Sequence, residues 1–153
     1  MKTVLSFIDW YLPGYRAGGT LKAFANQVSH FNEDYKFRII TRDTDYMETE
    51  PYDNVQSDEW NQIGENTEVF YLSNKNINYG FIKKLVSTTK FDTVYIHGVY
   101  SFWFSIMPIY FAKKYKAKKI VISSHGMFGD HAFSVKNRKK KLFVNIAELI
   151  RFY

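Results

Sequence analysis

Short apolar runs and longer amphipathic stretches alternate along this chain of 153 residues. Runs rich in β-branched and aromatic residues predict five strands, and apolar residues at helical spacing predict four helices. The predicted strands are Thr3–Ile8, Lys36–Thr41, Glu68–Leu72, Asp92–Ile96 and Lys119–Ser123. The predicted helices are Leu21–His30, Ile77–Thr88, Phe102–Tyr115 and a last one from about Ser134 to the end.

This order of elements predicts an α/β fold. Strands alternating with helices indicate a doubly wound, Rossmann-like, mostly parallel sheet with helices on both faces. Residues 43–68 are polar and acidic, and they are predicted to form a mobile loop between the second and third strands. Because the length is typical of one domain, residues 1–153 are predicted to form a single one.

Three loops follow the first, fourth and fifth predicted strands, and all are rich in glycine, histidine and aromatic residues. Their sequences are DWYLPGYRAGG (9–19), HGVYS (97–101) and SHGMFGDHAF (124–133). Parallel strands bring such loops to one edge of a sheet, where ligands of this fold class bind. A binding site is therefore expected at that edge.

The glycines of the first loop do not match either common nucleotide motif. Their spacing fails the G-x-G-x-x-G fingerprint, and Thr20 stands where a Walker A loop needs lysine. Gly18 and Gly19 nevertheless lie at the start of the first predicted helix, where free N–H groups favour an anion. Two interpretations stay open, an anion-binding loop and a plain turn. Arg16 is either an anion ligand or a solvated loop residue.

Charge is unevenly distributed along the chain, whose formal net charge is +6. The segments KKYKAKK (113–119) and KNRKKK (136–141) are strongly basic, in contrast to the acidic segment, and they indicate a face that meets anions. The absence of cysteine excludes disulfides and thiolate metal sites. No signal peptide and no membrane-spanning stretch is predicted.

Three motifs in succession resemble the amino-terminal domain of family 4 glycosyltransferases, which have the GT-B fold. They are P-G-x-x-x-G-G after the first strand, HGVYSFWF after the fourth and SSHGMFGDHAFSVKNRKKKLF after the fifth. The resemblance covers essentially the whole chain. It implies a retaining enzyme of two Rossmann-like domains that moves a sugar from a nucleotide-sugar to an acceptor, generally without a metal ion. Full members are roughly twice as long, so this chain is expected to be an amino-terminal fragment, inactive without its nucleotide-sugar domain.

The resemblance also implies roles for individual residues. Gly18 and Gly19 would contact the donor diphosphate, His125 would lie near the reacting sugar as the catalytic candidate, and His97 would face the acceptor. A packing role remains the alternative for both histidines.

Given the acceptor that the resemblance implies, further residues of these loops are candidates to bind it. Asp9 ends the first strand and is expected either to cap the loop or to touch an acceptor hydroxyl. Arg16 and Tyr100 are further candidates, and core packing is the alternative for aromatic residues such as Tyr100. No metal site and no cofactor are expected.

The expected partners are a nucleotide-sugar donor and a glycan or lipid-linked acceptor of surface polysaccharide synthesis. Basic residues favour peripheral contact with an anionic membrane, and a cytoplasmic location is expected, with no nucleic acid partner. One alternative is a basic anion-binding module, for nucleic acid or a membrane surface, on a complete small α/β domain. Another is a response-regulator-like domain, which needs an acidic cluster at strand ends, where only Asp9 is predicted.

Overall fold

The computed structural model describes residues 1–115 and 117–126. The chain divides into two compact units, Met1–Ser123 and Ser124–Tyr153. The first contains the whole sheet, whereas only residues 124–126 of the second are described. The predicted helix from Ser134 and the KNRKKK segment therefore lie outside the described residues.

The first unit is built on a six-stranded, mostly parallel sheet. Its spatial order is β3-β4-β2-β1-β5-β6, and every neighbouring pair is parallel except β3 with β4. The strands are β1 (Lys2–Phe7), β2 (Tyr35–Arg42), β3 (Trp60–Gly64), β4 (Thr67–Leu72), β5 (Thr93–His97) and β6 (Ile120–Ser123). The five predicted strands and the doubly wound, Rossmann-like arrangement are confirmed.

The predicted helices within the first unit are also present. They are α1 (Gly19–Phe31), α2 (Tyr79–Thr88) and α3 (Met107–Lys114), with a 3-10 turn at Asn74–Asn76 and a π-helical turn at Phe102–Ile106. In the part of the chain that the structure describes, no helix has both the length and the apolar character needed to cross a bilayer.

One face of the sheet is covered by α1. Apolar residues at helical spacing, Leu21, Phe24, Ala25 and Val28, predicted this helix. Leu21, Phe24 and Val28 are buried, and Ala25 is partly buried against the same core. The Phe24 ring lies 5.4 Å from that of Tyr11 and 6.4 Å from that of Phe37, between centroids. These contacts fix the start of α1 beside the end of β1.

The opposite face is covered by α2 and α3. Because side chains alternate along a strand, Phe70 points away from the face that carries Val69 and α1. The Phe70 ring lies 6.1 Å from that of Phe81 on α2, and Tyr79 lies 5.0 Å from Phe111 on α3. Helices therefore lie on both faces, as predicted.

The mobile loop predicted for residues 43–68 is wrong in part. Residues Trp60–Gly64 form β3, which pairs antiparallel with β4, and Thr44 forms an isolated bridge with Pro51. The segment is ordered by its own acids, because carboxylates accept hydrogen bonds that fix the backbone around them. Asp58, for example, accepts from the Ser73 hydroxyl at 2.6 Å and from the Ser73 N–H at 3.0 Å.

Candidate functional site

The loops after β1 and β5 meet at the carboxyl edge of the sheet. The Ser101 hydroxyl donates a hydrogen bond to Asp9 Oδ1 at 2.9 Å, and its oxygen accepts one from the Phe104 N–H at 3.2 Å. Ser101 thus caps the π-helical turn and holds Asp9 in place. The predicted meeting of these two loops is confirmed.

Asp9 sits in an environment that resists ionisation. Burial raises the pKa of its carboxyl, and this effect outweighs the Ser101 hydrogen bond and the charge of Arg42, both of which lower it. Arg42 Nη2 lies 3.6 Å from Asp9 Oδ1, which is too long for a strong ion pair. A carboxyl with a raised pKa at a strand end is a feature of many functional sites, although structural networks produce it too.

Arg42, the last residue of β2, was not predicted as a site residue. Its guanidinium carbon lies 5.5 Å from the centre of the Trp10 ring and 5.0 Å from that of Phe104. Its Nε is buried and has no hydrogen-bond partner among the described residues. The available signal was its position in the sequence, because Arg42 is a charged residue that ends an apolar strand and precedes the segment D-T-D (43–45).

Those aspartates, Asp43 and Asp45, are both buried and lie after β2, so Asp9 is not the only acid at a strand end. Asp45 binds the glycine-rich loop. Its carboxylate accepts from the N–H groups of Tyr15 at 3.0 Å, Arg16 at 3.3 Å and Tyr46 at 2.7 Å. The middle of the loop therefore already holds an anion, which is supplied by the chain itself.

These hydrogen bonds also control the ionisation of Asp45. Burial alone would raise the pKa of its carboxyl, but the N–H groups of Tyr15, Tyr46 and Arg16 together outweigh it, and the pKa is lowered. The Arg16 side chain is exposed and forms an ion pair with Glu48. Both the backbone and the side chain of Arg16 are thus engaged by the segment after β2, and its acceptor-binding role stays a prediction.

The end of the glycine-rich loop is open, in contrast to its middle. Gly18 and Gly19 are exposed, and an added Cβ at either position would have no neighbour within 4 Å. Gly18 has φ of 79°, which glycine adopts readily, and no side chain caps α1. Because the first N–H groups of a helix lack intrahelical partners, an anion can approach them here.

The two histidine candidates are placed differently. His97 is buried, with its ring centroid 3.8 Å from that of Phe24 and 4.2 Å from that of Tyr95, as a packing residue would be. Tyr100 is partly buried and directly precedes Ser101. His125 belongs to the second compact unit, where it has φ of 47° and burial lowers the pKa of its imidazole. Their functional roles stay predictions.

Asparagine in place of Asp45 is expected to lower the free energy of unfolding at pH 7 by about 1–2 kcal/mol. The change removes the charge from hydrogen bonds to three N–H groups. Because the folded-state pKa of Asp45 is lowered, its stabilisation is complete above the unfolded pKa of about 4 and is lost as pH falls towards the lower folded value. Urea unfolding of both proteins between pH 7 and pH 3 should therefore show a difference that shrinks with acid.

The Asp9→Asn variant is the matched control, because the pKa of Asp9 is shifted in the opposite direction. A raised folded-state pKa means that Asp9 contributes most stability below its unfolded pKa and loses it as pH rises through the folded value. This variant should therefore be at least as stable as the wild type at pH 7. Equal pH dependence of stability in the two variants would contradict the opposite pKa shifts assigned to Asp45 and Asp9.

Among the described residues, no three histidine, aspartate or glutamate side chains are grouped to hold a metal ion. The structure thus brings together Asp9, Arg42 and Ser101, and it leaves Gly18 and Gly19 open at the start of α1. The resemblance to family 4 glycosyltransferases stays a prediction. The chain matches no protein-family model, and comparisons with curated proteins and with solved structures give no match either.

Proposed function

We propose that this chain is the amino-terminal, acceptor-side domain of a retaining glycosyltransferase. The enzyme would move a sugar from a nucleotide-sugar to a glycan or lipid-linked acceptor in surface polysaccharide synthesis. The observation that carries the proposal is the open start of α1, where the exposed Gly18 and Gly19 leave space for a diphosphate. A glycine pair at this point of a Rossmann-like sheet lets the backbone approach phosphate oxygens closely.

The surroundings of Asp9 support the part of the proposal that concerns the acceptor. Asp9 lies at the same sheet edge, and its raised pKa suits a carboxyl that exchanges hydrogen bonds with a neutral hydroxyl group. His125 would hydrogen-bond a sugar hydroxyl or stabilise developing charge, and its lowered pKa favours the neutral ring. The second domain of such an enzyme would supply most of the contacts to the donor.

Contact with an anionic membrane is part of the same proposal. Lys113, Lys114, Lys118 and Lys119 are all exposed around the end of α3 and before β6. Each basic residue near an anionic surface contributes about 1 kcal/mol of attraction, which would bring the enzyme to a lipid-linked acceptor.

The test uses the full-length protein encoded by the natural reading frame. It is incubated with a panel of nucleotide-sugars and with glycan and lipid-linked acceptors, and products are identified by mass spectrometry. We expect a product larger than one acceptor by one sugar residue, formed from one donor in preference to the others. If the folded protein consumes no nucleotide-sugar above the rate without enzyme, the proposal is wrong.

A further inference from the structure

A pocket of about 190 Å³ lies at the carboxyl ends of β1, β2 and β4. Its lining includes Trp10, Arg42, Asp43, Thr49, Asn74 and Ile77. Only Trp10 follows the first strand, and the other five come from the end of β2 or from the segments after β2 and β4. The pocket therefore lies beside Asp9, at the ends of β2 and β4. None of the predicted site residues belongs to that half of the sheet.

The lining combines hydrogen-bond donors, acceptors and an aromatic wall. Arg42 and the Asn74 amide offer donors, while Thr49 and the carboxylate of Asp43 offer acceptors. Asp43 is only 3% exposed, and Ser57 donates to its Oδ2 at 2.7 Å. No hydrogen bond from a described residue reaches its Oδ1, so this oxygen keeps its capacity to accept.

Two of the side chains that line the pocket, those of Arg42 and Trp10, are held in place by ring contacts. Arg42 lies over the rings of Trp10 and Phe104, at 5.5 Å and 5.0 Å from their centres. Trp10 in turn contacts Tyr46 edge to face, with centroids 4.9 Å apart. Because these groups are already ordered, a ligand would lose little binding free energy in arranging them.

Charge and size define the ligand. Asp43, Asp45 and Glu48 all line the pocket, where Arg42 is the lining guanidinium and Arg16 pairs with Glu48. The remaining excess of negative charge disfavours a phosphate or a polyanion. The volume is below the roughly 300–1,000 Å³ of pockets for drug-sized ligands, so a ligand of about one ring fits. Hydroxyl groups both donate and accept, and the apolar face of a pyranose packs on an indole.

We propose that this pocket binds one uncharged sugar ring of the acceptor. The proposal rests on the proposed function, because that function supplies the acceptor. In such an enzyme, the donor diphosphate and the acceptor sugar would bind at two separate points along the sheet edge. The start of α1 would take the charged diphosphate, and the pocket between the segments after β2 and β4 would take the neutral ring.

The test measures binding of methyl glycosides to the 153-residue chain by saturation-transfer difference NMR. The panel contains the methyl glycosides of glucose, galactose, mannose and N-acetylglucosamine, with inorganic pyrophosphate as the charged probe. We expect saturable binding of at least one glycoside. We also expect Asn74→Ala and Asp43→Asn each to weaken that binding about 5- to 10-fold. The first removes a hydrogen-bonding amide, and the second replaces a charged acceptor oxygen with a neutral amide.

Asn76→Ala is the matched control. Asn76 ends the same 3-10 turn but is not among the pocket residues, so this variant should bind within about twofold of the wild type. Amide spectra of all variants report whether they fold like the wild type. Equal binding by the Asn74 and Asn76 variants would overturn the proposal, as would the absence of saturable glycoside binding or pyrophosphate competing for the pocket.

Failure of the pocket assignment can be distinguished from failure of the proposed function. If glycoside binding depends on Asn74 but the full-length protein transfers no sugar, the pocket assignment stands as a sugar-binding site and the transferase proposal fails. If transfer occurs while the pocket variants bind and react like the wild type, only the pocket assignment fails.

Discussion

On the proposed function, replacing Gly19 with valine is expected to reduce sugar transfer by the full-length protein about 100-fold or more. The branched side chain would fill the empty space at the first residue of α1 and keep a diphosphate from the N–H groups there. The expected loss is similar to that caused by removing one preorganised donor to developing charge, about 10²–10³-fold. Initial rates at saturating donor and acceptor would measure it.

The same variant should remain folded, because Gly19 is exposed and its Cβ position has no neighbour within 4 Å. Gly80→Val is the matched control, since Gly80 is the second residue of α2 and its added Cβ would have only an ordinary contact, 3.5 Å from Asn78 Oδ1. This control should keep transfer within about threefold of the wild type, as expected for a surface change away from the site. If Gly19→Val is as active as Gly80→Val, the donor diphosphate does not bind at the start of α1.

Substitution of Gly14 by alanine is expected to lower the free energy of unfolding by about 2–3 kcal/mol. Gly14 is buried where the glycine-rich loop meets the segment after β2. An added Cβ would collide with the Tyr52 hydroxyl and come within 2.9 Å of both Asp45 Oδ1 and the Tyr11 carbonyl oxygen. Overpacking at such a position typically costs 1–3 kcal/mol, and urea unfolding of the 153-residue chain would measure the loss.

Gly64→Ala provides the comparison for that measurement. Gly64 ends β3 and is exposed, and its Cβ would lie 3.6 Å from Thr67 Cβ, an ordinary contact. Removing a glycine at a compatible position leaves stability unchanged or raises it slightly. Similar unfolding curves for the Gly14 and Gly64 variants would mean that the loop does not pack against Tyr52 and Asp45 as described.

Much of the fold could be predicted from hydrophobic periodicity, and the elements that were missed have physical explanations. Leu21, Phe24 and Val28 were predicted correctly because burial of a helix face needs apolar residues at that spacing. Residues Trp60–Gly64 were missed because β3 pairs on one side only and none of its residues is buried, so no apolar alternation is required. The π-helical turn at Phe102–Ile106 depends on one extra residue per turn, which has no compositional signal.

The candidate site was only partly predictable. Asp9, Gly18 and Gly19 could be predicted as site residues because they belong to the loop after β1. In a parallel sheet the order of elements alone places such a loop at the ligand-binding edge. Asp45 looked like a solvated residue of an acidic loop, yet it accepts from N–H groups about 30 residues earlier in the chain. Such a long-range partner cannot be seen in local composition. Arg42 was missed for the same reason, since its neighbours Trp10 and Phe104 are far away in sequence.

The surroundings of Asp45 and Asp9 shift the pKa values of the two carboxyl groups in opposite directions. Asp45 accepts from three N–H donors, which lower its pKa. Asp9 has one hydroxyl donor and a guanidinium nitrogen at 3.6 Å, and these do not offset its burial, which raises its pKa. On the proposed function, Asp45 organises the glycine-rich loop as a permanent anion and Asp9 is left to meet the acceptor. This division explains why the middle of the loop is occupied by Asp45 while its end, at Gly18 and Gly19, is open.

The most direct measurement of the central claim is NMR of the anomeric proton during reaction of the full-length protein with its preferred nucleotide-sugar and acceptor. We predict that the donor signal decreases while a new signal grows with the same anomeric configuration as the donor, which is the result for a retaining transferase. An unchanged donor signal, or a product of inverted configuration, would contradict the account.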